Sequence, residues 1–183
     1  MSDKIDIVRL SGQSVDLCVL RTDDEAIDAY TKWMNDASIA KWIGANRTVT
    51  QRSEEVDWAN NQADEACQFC IVEKTSRQLI GTCSCNCYDG ISAYLEIIIG
   101  EPSGQDKGYG TEVIKMLIKF CFEELNAHRV SLVVVGDNAR AIKCYTKAGL
   151  KECGRDHEAV YYDGHYCDYV RMEILRKDWE NNL

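Results

Sequence analysis

A glycine-bearing loop runs into a predicted helix near the middle of this sequence, directly after an apolar strand segment. Unpaired N–H groups and the dipole of a helix N-terminus attract anions. Gly108 and Gly110 let the backbone approach a diphosphate closely, Lys107 adds positive charge, and Gln105 and Thr111 supply hydrogen-bond donors. The loop therefore predicts a phosphate cradle. Its residues are Gln105, Asp106, Lys107, Gly108, Tyr109, Gly110 and Thr111.

Two other phosphate-binding motifs do not fit this loop. It lacks the Gly-Lys-Ser/Thr ending of a nucleoside-triphosphate loop and the three-glycine spacing of a dinucleotide-binding fold. A Gly-x-Gly pair before a helix is by itself also an ordinary tight helix entry. The surrounding residues therefore have to decide between a ligand site and a simple turn.

Four segments of the second half, the first of which overlaps the loop, carry motifs that together indicate a protein family. They are Gly108-Tyr109-Gly110-Thr111-Glu112, Asn138-Ala139-Arg140-Ala141-Ile142 with Tyr145, Gly149-Leu150, and Tyr162-Asp163-Gly164-His165-Tyr166. Together with the loop Gln105-Asp106-Lys107-Gly108-Tyr109-Gly110, they make residues 91–179 resemble the GNAT acetyltransferase superfamily. Within it, the chain is most similar to the branch of ribosomal-protein N-terminal and spermidine acetyltransferases. The first half agrees with that branch more loosely.

The resemblance implies the GNAT fold, an α/β mixed sheet of about seven mostly antiparallel strands with helices on both faces. It also implies acetyl-coenzyme A as cosubstrate. The pantetheine would pair with backbone groups of Ile98, Ile99 and Gly100, and the diphosphate would lie on the N–H groups of residues 107–111, including that of Tyr109. Asn138 would reach the pantetheine, and its place before a helix also predicts an N-cap.

Acyl transfer from a thioester to an amine needs an oxyanion donor, an acid and a base. The resemblance places a backbone N–H near Ile98 at the oxyanion and Tyr145 where it gives a proton to the departing sulfur. Many members carry a glutamate where this chain has Tyr94. Glu96 lies two residues further on and shares that strand face, so it is the candidate base, acting through water. A packed aromatic and a solvated strand carboxylate are the alternative interpretations of Tyr145 and Glu96.

An acidic, aromatic-walled acceptor site is the hypothesis for the first half of the chain. Aromatic rings beside carboxylates suit a polyamine, although such residues also form ordinary cores and surfaces. An aminoglycoside, a protein N-terminus or another small amine would be served by similar residues, so the acceptor stays open. The candidates are Tyr30, Trp33, Asp36, Trp42, Glu54, Glu55 and Asp57.

Composition narrows the class of protein. The 183 residues, 45% of them apolar, are enough for one domain, which we expect to span residues 1–183. A net charge of −9 argues against a nucleic-acid partner. The start MSDKIDIV has no basic segment leading into an apolar run, and no stretch has membrane-spanning length, so we expect a cytoplasmic protein without membrane contact. The oligomeric state stays open, with a homo-oligomer among the possibilities.

Ten cysteines raise a rival class, the metal-binding proteins. Cys83, Cys85 and Cys87 alternate along one predicted strand, with Cys67 and Cys70 on the segment before it. Zinc sites usually take two pairs of Cys-x-x-Cys from turns, so we expect structural thiols and no metal. The isolated histidines are expected to be structural. A non-catalytic sensor of acyl-coenzyme A is the second rival, because the usual glutamate is missing.

The pattern of apolar residues predicts the elements that position these groups. A hairpin over residues 6–21 is followed by helices beginning near Asp23 and Thr50. Three strands between Gln68 and Gly100 form an antiparallel meander. A helix, a strand, a second helix from Asn138 and a closing hairpin over residues 160–175 complete the chain.

Overall fold

The computed structural model describes residues 6–44, 48–63, 67–87 and 89–181. The strands are β1 (Val8–Ser11), β2 (Val15–Val19), β3 (Gln68–Glu73), β4 (Leu79–Asn86), β5 (Ser92–Ile99), β6 (Arg129–Val135), β7 (Lys151–Tyr162) and β8 (His165–Leu175). The helices are α1 (Asp24–Asn35), α2 (Ala37–Ala40), α3 (Arg52–Ala63), α4 (Tyr109–Glu123), α5 (Ala139–Ala148) and α6 (Arg176–Glu180), with a short 3-10 turn over Pro102–Gly104.

The described strands form one sheet in the order β1-β2-β3-β4-β5-β6-β8-β7. Every neighbouring pair is antiparallel except β5 and β6, which are parallel because α4 carries the chain across between them. The predicted mixed, mostly antiparallel sheet is therefore confirmed, with eight strands in place of about seven.

Helices cover both faces of the sheet. Successive side chains of a strand point to opposite faces, and on β3 both sets are apolar and need cover. On β3, Phe69 and Ile71 pack in the cluster that contains the apolar side of α4. Their neighbours Cys70 and Val72 pack in the cluster that contains α1 and residues of α3. The sheet is thus sandwiched between α4 and α5 on one side and α1 and α3 on the other.

The parallel pair β5–β6 separates part-way along its length. The two strands pair only from Ser92 with Arg129 to Tyr94 with Ser131. Beyond that point β5 stays paired with β4 up to Ile99, while β6 stays paired with β8 up to Val135. The carboxyl ends of β5 and β6 therefore diverge, and a gap opens in the middle of the sheet.

The closing hairpin is longer than its apolar pattern predicts. The turn at Asp163 and Gly164 is confirmed, with φ values of 48° and 85°. However, β7 begins at Lys151, because the polar segment from there to Asp156 pairs with β8 along the outer edge of the sheet. An edge strand exposes much of its surface, so alternation of apolar residues did not mark it.

Candidate active site

A cleft of about 460 Å³, here called the α4–α5 cleft, opens where β5 ends. Its walls are the last residues of β5, the first turn of α4 and one face of α5. Residues from α2 and the turn after it close the far side. The gap between β5 and β6 therefore leads into a space bordered by two helix N-termini.

Glycines leave the N-terminus of α4 open towards this cleft. Gly108 is the N-cap residue and has φ +84°, a conformation that side chains disfavour. A Cβ on Gly110 would lie 3.3 Å from the Cys144 sulfur, so this glycine lets α5 approach α4 closely. Thr111 Oγ1 donates to the same sulfur at 3.4 Å. The first-turn N–H groups of α4, which lack intrahelical acceptors, are thus accessible to an anion.

Asn138 caps the N-terminus of α5 at the opposite wall. Its side-chain oxygen accepts a hydrogen bond from the N–H of Ala141 at 3.1 Å, so the predicted N-cap is confirmed. The residue also borders the cleft. Asn138 therefore stabilises the N-terminus of α5, the helix that carries Cys144 and Tyr145.

A second space of about 670 Å³, here called the aromatic cavity, lies on the α1 and α3 side of the sheet. It extends from Tyr30, Trp33 and Trp58 across the middle of β4 and β5 to β8. The α4–α5 cleft and the aromatic cavity share one group of lining residues. These are Trp42, Ile43, Ile97, Ile98, Asn138 and Tyr145. The two spaces thus meet at the gap between β5 and β6.

Tyr145 lies at this junction, half-buried on α5. Burial raises the pKa of its hydroxyl well above 10, and Cys144 and Tyr94 raise it further. The hydroxyl is therefore protonated throughout the neutral range and can act as a proton donor.

Glu96 lies on the other side of the junction and lines the aromatic cavity. Ser84, only 1% exposed, donates to its Oε2 atom at 3.1 Å and so orients the carboxylate. Tyr94 lines the same cavity, and its pKa is raised by burial and then by the nearby Glu96 charge. A carboxylate and a phenol thus share the β5 face that Tyr145 approaches.

Comparison with known proteins places this architecture in a family. A sequence profile described as "Acetyltransferase (GNAT) domain" matches residues 16–151. The chain belongs to the GNAT acetyltransferase family. The resemblance drawn from the loop and the Asn138 segment is therefore confirmed.

Relatives of this GNAT acetyltransferase include a spermidine N(1)-acetyltransferase of Vibrio cholerae, 32% identical over 120 residues, covering 64% of this chain and 69% of that protein. An uncharacterized N-acetyltransferase of Bacillus subtilis is 24% identical over 157 residues, or 86% of this chain and 90% of the other. The crystal structure of the Vibrio cholerae spermidine N-acetyltransferase with CoA and spermine has a TM-score of 0.80 at 24% identity, covering 92% and 99% of the two chains. This structural similarity shows that the two proteins share a fold.

Most of the predicted cofactor residues of this acetyltransferase line the α4–α5 cleft. They are Ile98, Ile99, Gln105, Gly108, Tyr109, Gly110, Thr111 and Asn138. The two predicted catalytic residues, Tyr145 and Glu96, both line the aromatic cavity, and Tyr145 also lines the cleft. Lys107 and Gly100 lie outside the lining of both spaces.

Lys107 is held away from the cleft by the end of β3. Its Nζ atom lies 3.2 Å from Glu73 Oε1, which also accepts the Tyr109 hydroxyl at 2.5 Å. Hydrogen bonds from Ser76, Tyr109 and Lys107 lower the pKa of Glu73 to about 2. The lysine therefore ties the loop to the sheet, and its charge is matched within the protein.

Gly100 serves packing. Its N–H donates to the carbonyl of Ile80 at 2.9 Å, so this backbone donor is already used inside the sheet. A Cβ at this position would overlap the Trp33 indole. Gly100 thus lets α1 pack closely against the end of β5.

Basic residues of α5, which the sequence analysis did not single out, line the cleft instead. Arg140, Lys143 and Lys147 all border it, and the guanidinium of Arg140 donates to Gln105 Oε1 at 3.1 Å. Their spacing of three, four and seven residues places them on one helical face, which is the signal that would have identified them. The positive charge of the site comes from α5.

The acidic and aromatic candidates of the first half divide into two groups. Tyr30, Trp33, Trp42 and Glu55 line the aromatic cavity. The others lie outside its lining, and two of them cap helices: Asp36 accepts from the N–H of Ser38, and Glu54 from the N–H of Gln51.

Two remaining expectations concern metals and membranes. Within the described ranges, no group of three or more His, Cys, Asp or Glu side chains is arranged to hold a metal ion. No helix in the same ranges combines the length and the apolar character needed to span a membrane. The ten cysteines all lie in the described ranges, none of them forms a disulfide, and most are buried.

Proposed function

We propose that this protein is an N-acetyltransferase that moves the acetyl group of acetyl-coenzyme A onto a primary amine by direct attack in a ternary complex. The observation that carries the proposal is the junction of two spaces at Tyr145 and Ile98. One space presents helix N–H groups and cations, and the other presents aromatic rings and carboxylates. A donor and an acceptor entering from opposite sides would meet at this junction.

The α4–α5 cleft fits the phosphates and pantetheine of coenzyme A. The open N-terminus of α4 would hold the diphosphate through the N–H groups of residues 108–111. Arg140, Lys143 and Lys147 would hold phosphate oxygens at the rim. Around Ile98 and Ile99, β5 is unpaired with β6, so the backbone groups on that side of the strand are available to the pantetheine amides in the manner of an added strand.

Acetyl-coenzyme A, once bound, supplies a thioester whose sulfur leaves as a thiolate. Tyr145 would hold the proton that this sulfur takes up, since burial keeps its hydroxyl protonated. A backbone N–H near Ile98 would donate to the developing oxyanion without any reorganisation of the backbone.

Glu96 is the proposed acceptor of the proton that the attacking amine releases. Its carboxylate faces the aromatic cavity and is oriented by Ser84. Water between the amine and the carboxylate would carry the proton. Tyr94, at the position of the glutamate found in many family members, lines the same cavity as Glu96.

A cationic amine is the favoured acceptor. The aromatic cavity contains Glu55 and Glu96, and the net charge of the protein is −9. The Vibrio cholerae relative is named for spermidine. Polyamines are therefore the first candidates, followed by protein N-termini and other small amines.

We also propose that the protein works as one domain in a reducing compartment such as the cytoplasm, because none of its ten cysteines, all within the described ranges, forms a disulfide. A Vibrio cholerae spermidine N-acetyltransferase with a TM-score of 0.72 to this chain is described as dodecameric. We extend this to a homo-oligomer here, which analytical ultracentrifugation of the purified protein would test.

A thiol-release assay tests the proposed function. The purified protein is incubated with acetyl-coenzyme A and, in turn, with spermidine, an aminoglycoside and a peptide that begins with Ser or Ala. We expect release that depends on spermidine. Tight binding of acetyl-coenzyme A, measured by calorimetry, without release for any amine would instead identify a sensor of acyl-coenzyme A. Absence of binding would overturn the assignment of the α4–α5 cleft.

A further inference from the structure

Glu55 is a buried carboxylate that faces the aromatic cavity from α3. Only 7% of the residue is exposed, although it lies in the first turn of a helix where acidic residues are normally solvated. The residue borders the cavity together with Tyr30, Trp33 and Trp58. What little surface it retains therefore opens into the cavity.

Within the described ranges, no hydrogen bond or ion pair to its side chain satisfies this carboxylate. Its neighbour Glu54 performs the capping role of the first turn by accepting from the N–H of Gln51 at 2.7 Å. Burial raises the pKa of Glu55, and the Glu54 charge raises it further. A largely buried carboxylate without an ion-pair partner costs free energy, and a cation that enters the cavity would offset that cost.

The aromatic rings that line the cavity together with Glu55 favour a cation as the ligand. Tyr30 and Trp58 are arranged edge to face with ring centroids 5.6 Å apart, and Tyr30 and Trp33 have centroids 5.7 Å apart. Aromatic faces attract ammonium groups, most strongly where water is excluded. A cavity that carries a carboxylate and such rings matches an alkylammonium in both charge and apolar surroundings.

The cavity also sets Glu55 apart from the reacting centre. Glu55 lies on the α3 wall, whereas Tyr145 and Glu96 lie at the junction with the α4–α5 cleft. We propose that Glu55 determines acceptor specificity by binding a second cationic group of the amine, the one that is not acetylated. The favoured acceptors are then amines that carry two or more ammonium groups. This inference rests on the proposed function.

A matched pair of acceptors isolates the role of Glu55, because putrescine and butylamine differ only in the second ammonium. We expect the wild type to prefer putrescine, and Glu55→Gln to lower kcat/KM for putrescine about tenfold or more through KM, as loss of a charged hydrogen bond predicts. The value for butylamine should change less than about twofold, since its tail carries no charge. Asp57→Asn, the same loss of charge at an exposed position of α3, should leave both values unchanged.

Equal loss for the two amines, or no loss for either, would overturn the inference while leaving the proposed acetyl transfer intact. A calorimetric titration of putrescine into the coenzyme A-loaded protein gives an answer that does not depend on turnover. Binding that weakens about tenfold in Glu55→Gln supports the inference, and equal binding contradicts it. The melting temperature without amine should stay level or rise in Glu55→Gln, because an unpaired buried charge is removed. A marked fall would show that Glu55 is a structural carboxylate and would also overturn the inference.

Discussion

At the scale of single residues, Tyr145 combines two properties that an acid needs. It borders both the α4–α5 cleft and the aromatic cavity, and burial keeps its hydroxyl protonated beyond the neutral range. Positioned proton donors contribute about 10² to 10⁴-fold to a rate. Tyr145→Phe should therefore lower kcat by about that factor while calorimetry shows unchanged affinity for acetyl-coenzyme A.

Tyr166→Phe is the matched control for this prediction, because Tyr166 is 65% exposed on the closing hairpin. It should retain wild-type turnover. A Tyr145→Phe protein with kcat within a factor of about two of wild type would exclude Tyr145 as the acid and leave the proton to water.

The sequence predicted which residues lie at the cleft better than it predicted where each side chain points. Gly108 and Gly110 lie where the loop pattern placed them, at an open helix N-terminus. The side chain of Lys107 does not, because its partner Glu73 comes from a distant strand that the local pattern does not specify. Glu55 was one of four equivalent acidic candidates in the sequence, and only tertiary packing distinguishes it by burial.

At the scale of elements, the contact between α1 and β5 depends on Gly100. Trp33 packs directly over this residue, and its indole nitrogen donates to Glu101 at 2.9 Å. Gly100→Ala should lower the free energy of unfolding by about 3 kcal/mol, because the added methyl group overlaps the indole and neither element can move freely. Urea denaturation measures the change.

Gly154→Ala is the control for this substitution. A Cβ at Gly154 meets no atom within 4 Å, so the free energy of unfolding should change by less than about 0.5 kcal/mol. Equal stability of the two variants would mean that α1 accommodates the methyl group without cost. Trp33, which lines the aromatic cavity, would then be free to shift and would not be a rigid wall.

The hydrogen bonds of Glu73 tie the cradle loop to β3, and they predict a pH dependence. The pKa of Glu73 falls from 4.5 to about 2 in the folded protein, so the stabilisation is complete above pH 4.5 and is lost as the pH falls towards 2. Glu73→Gln should therefore be less stable than wild type at neutral pH, and the difference should vanish towards pH 2. Thermal melts across this range measure it. A difference that is independent of pH would assign the effect to packing instead of charge.

Regular elements were predictable from the sequence where burial imposes a period. The helix α4 carries apolar residues such as Val113 and Leu117 on its buried face, and β6 is a nearly continuous apolar run. The first half of β7 and the single turn of α2 were missed. An edge strand and a four-residue helix bury too little surface to leave a periodic signal.

At the scale of the whole molecule, two separate spaces meet at one junction, and this arrangement predicts the kinetic order. Both substrates can occupy their own space at once, so the amine can attack the thioester directly. Initial rates measured against both substrates should give intersecting double-reciprocal lines. Parallel lines, the pattern of a ping-pong mechanism, would require an acetylated enzyme.

Cys144 is the nucleophile that such an acetylated enzyme would use, because its thiol borders the α4–α5 cleft one residue from Tyr145. Burial raises the pKa of this thiol, which disfavours the nucleophilic thiolate. Cys144→Ala should therefore keep kcat within a factor of about three of wild type. Mass spectrometry of wild-type protein incubated with acetyl-coenzyme A alone should show no added acetyl group on Cys144. An acetylated Cys144 that loses its acetyl group when an amine is added later would contradict direct attack. The reaction would then proceed in two half-reactions through an acetyl-enzyme.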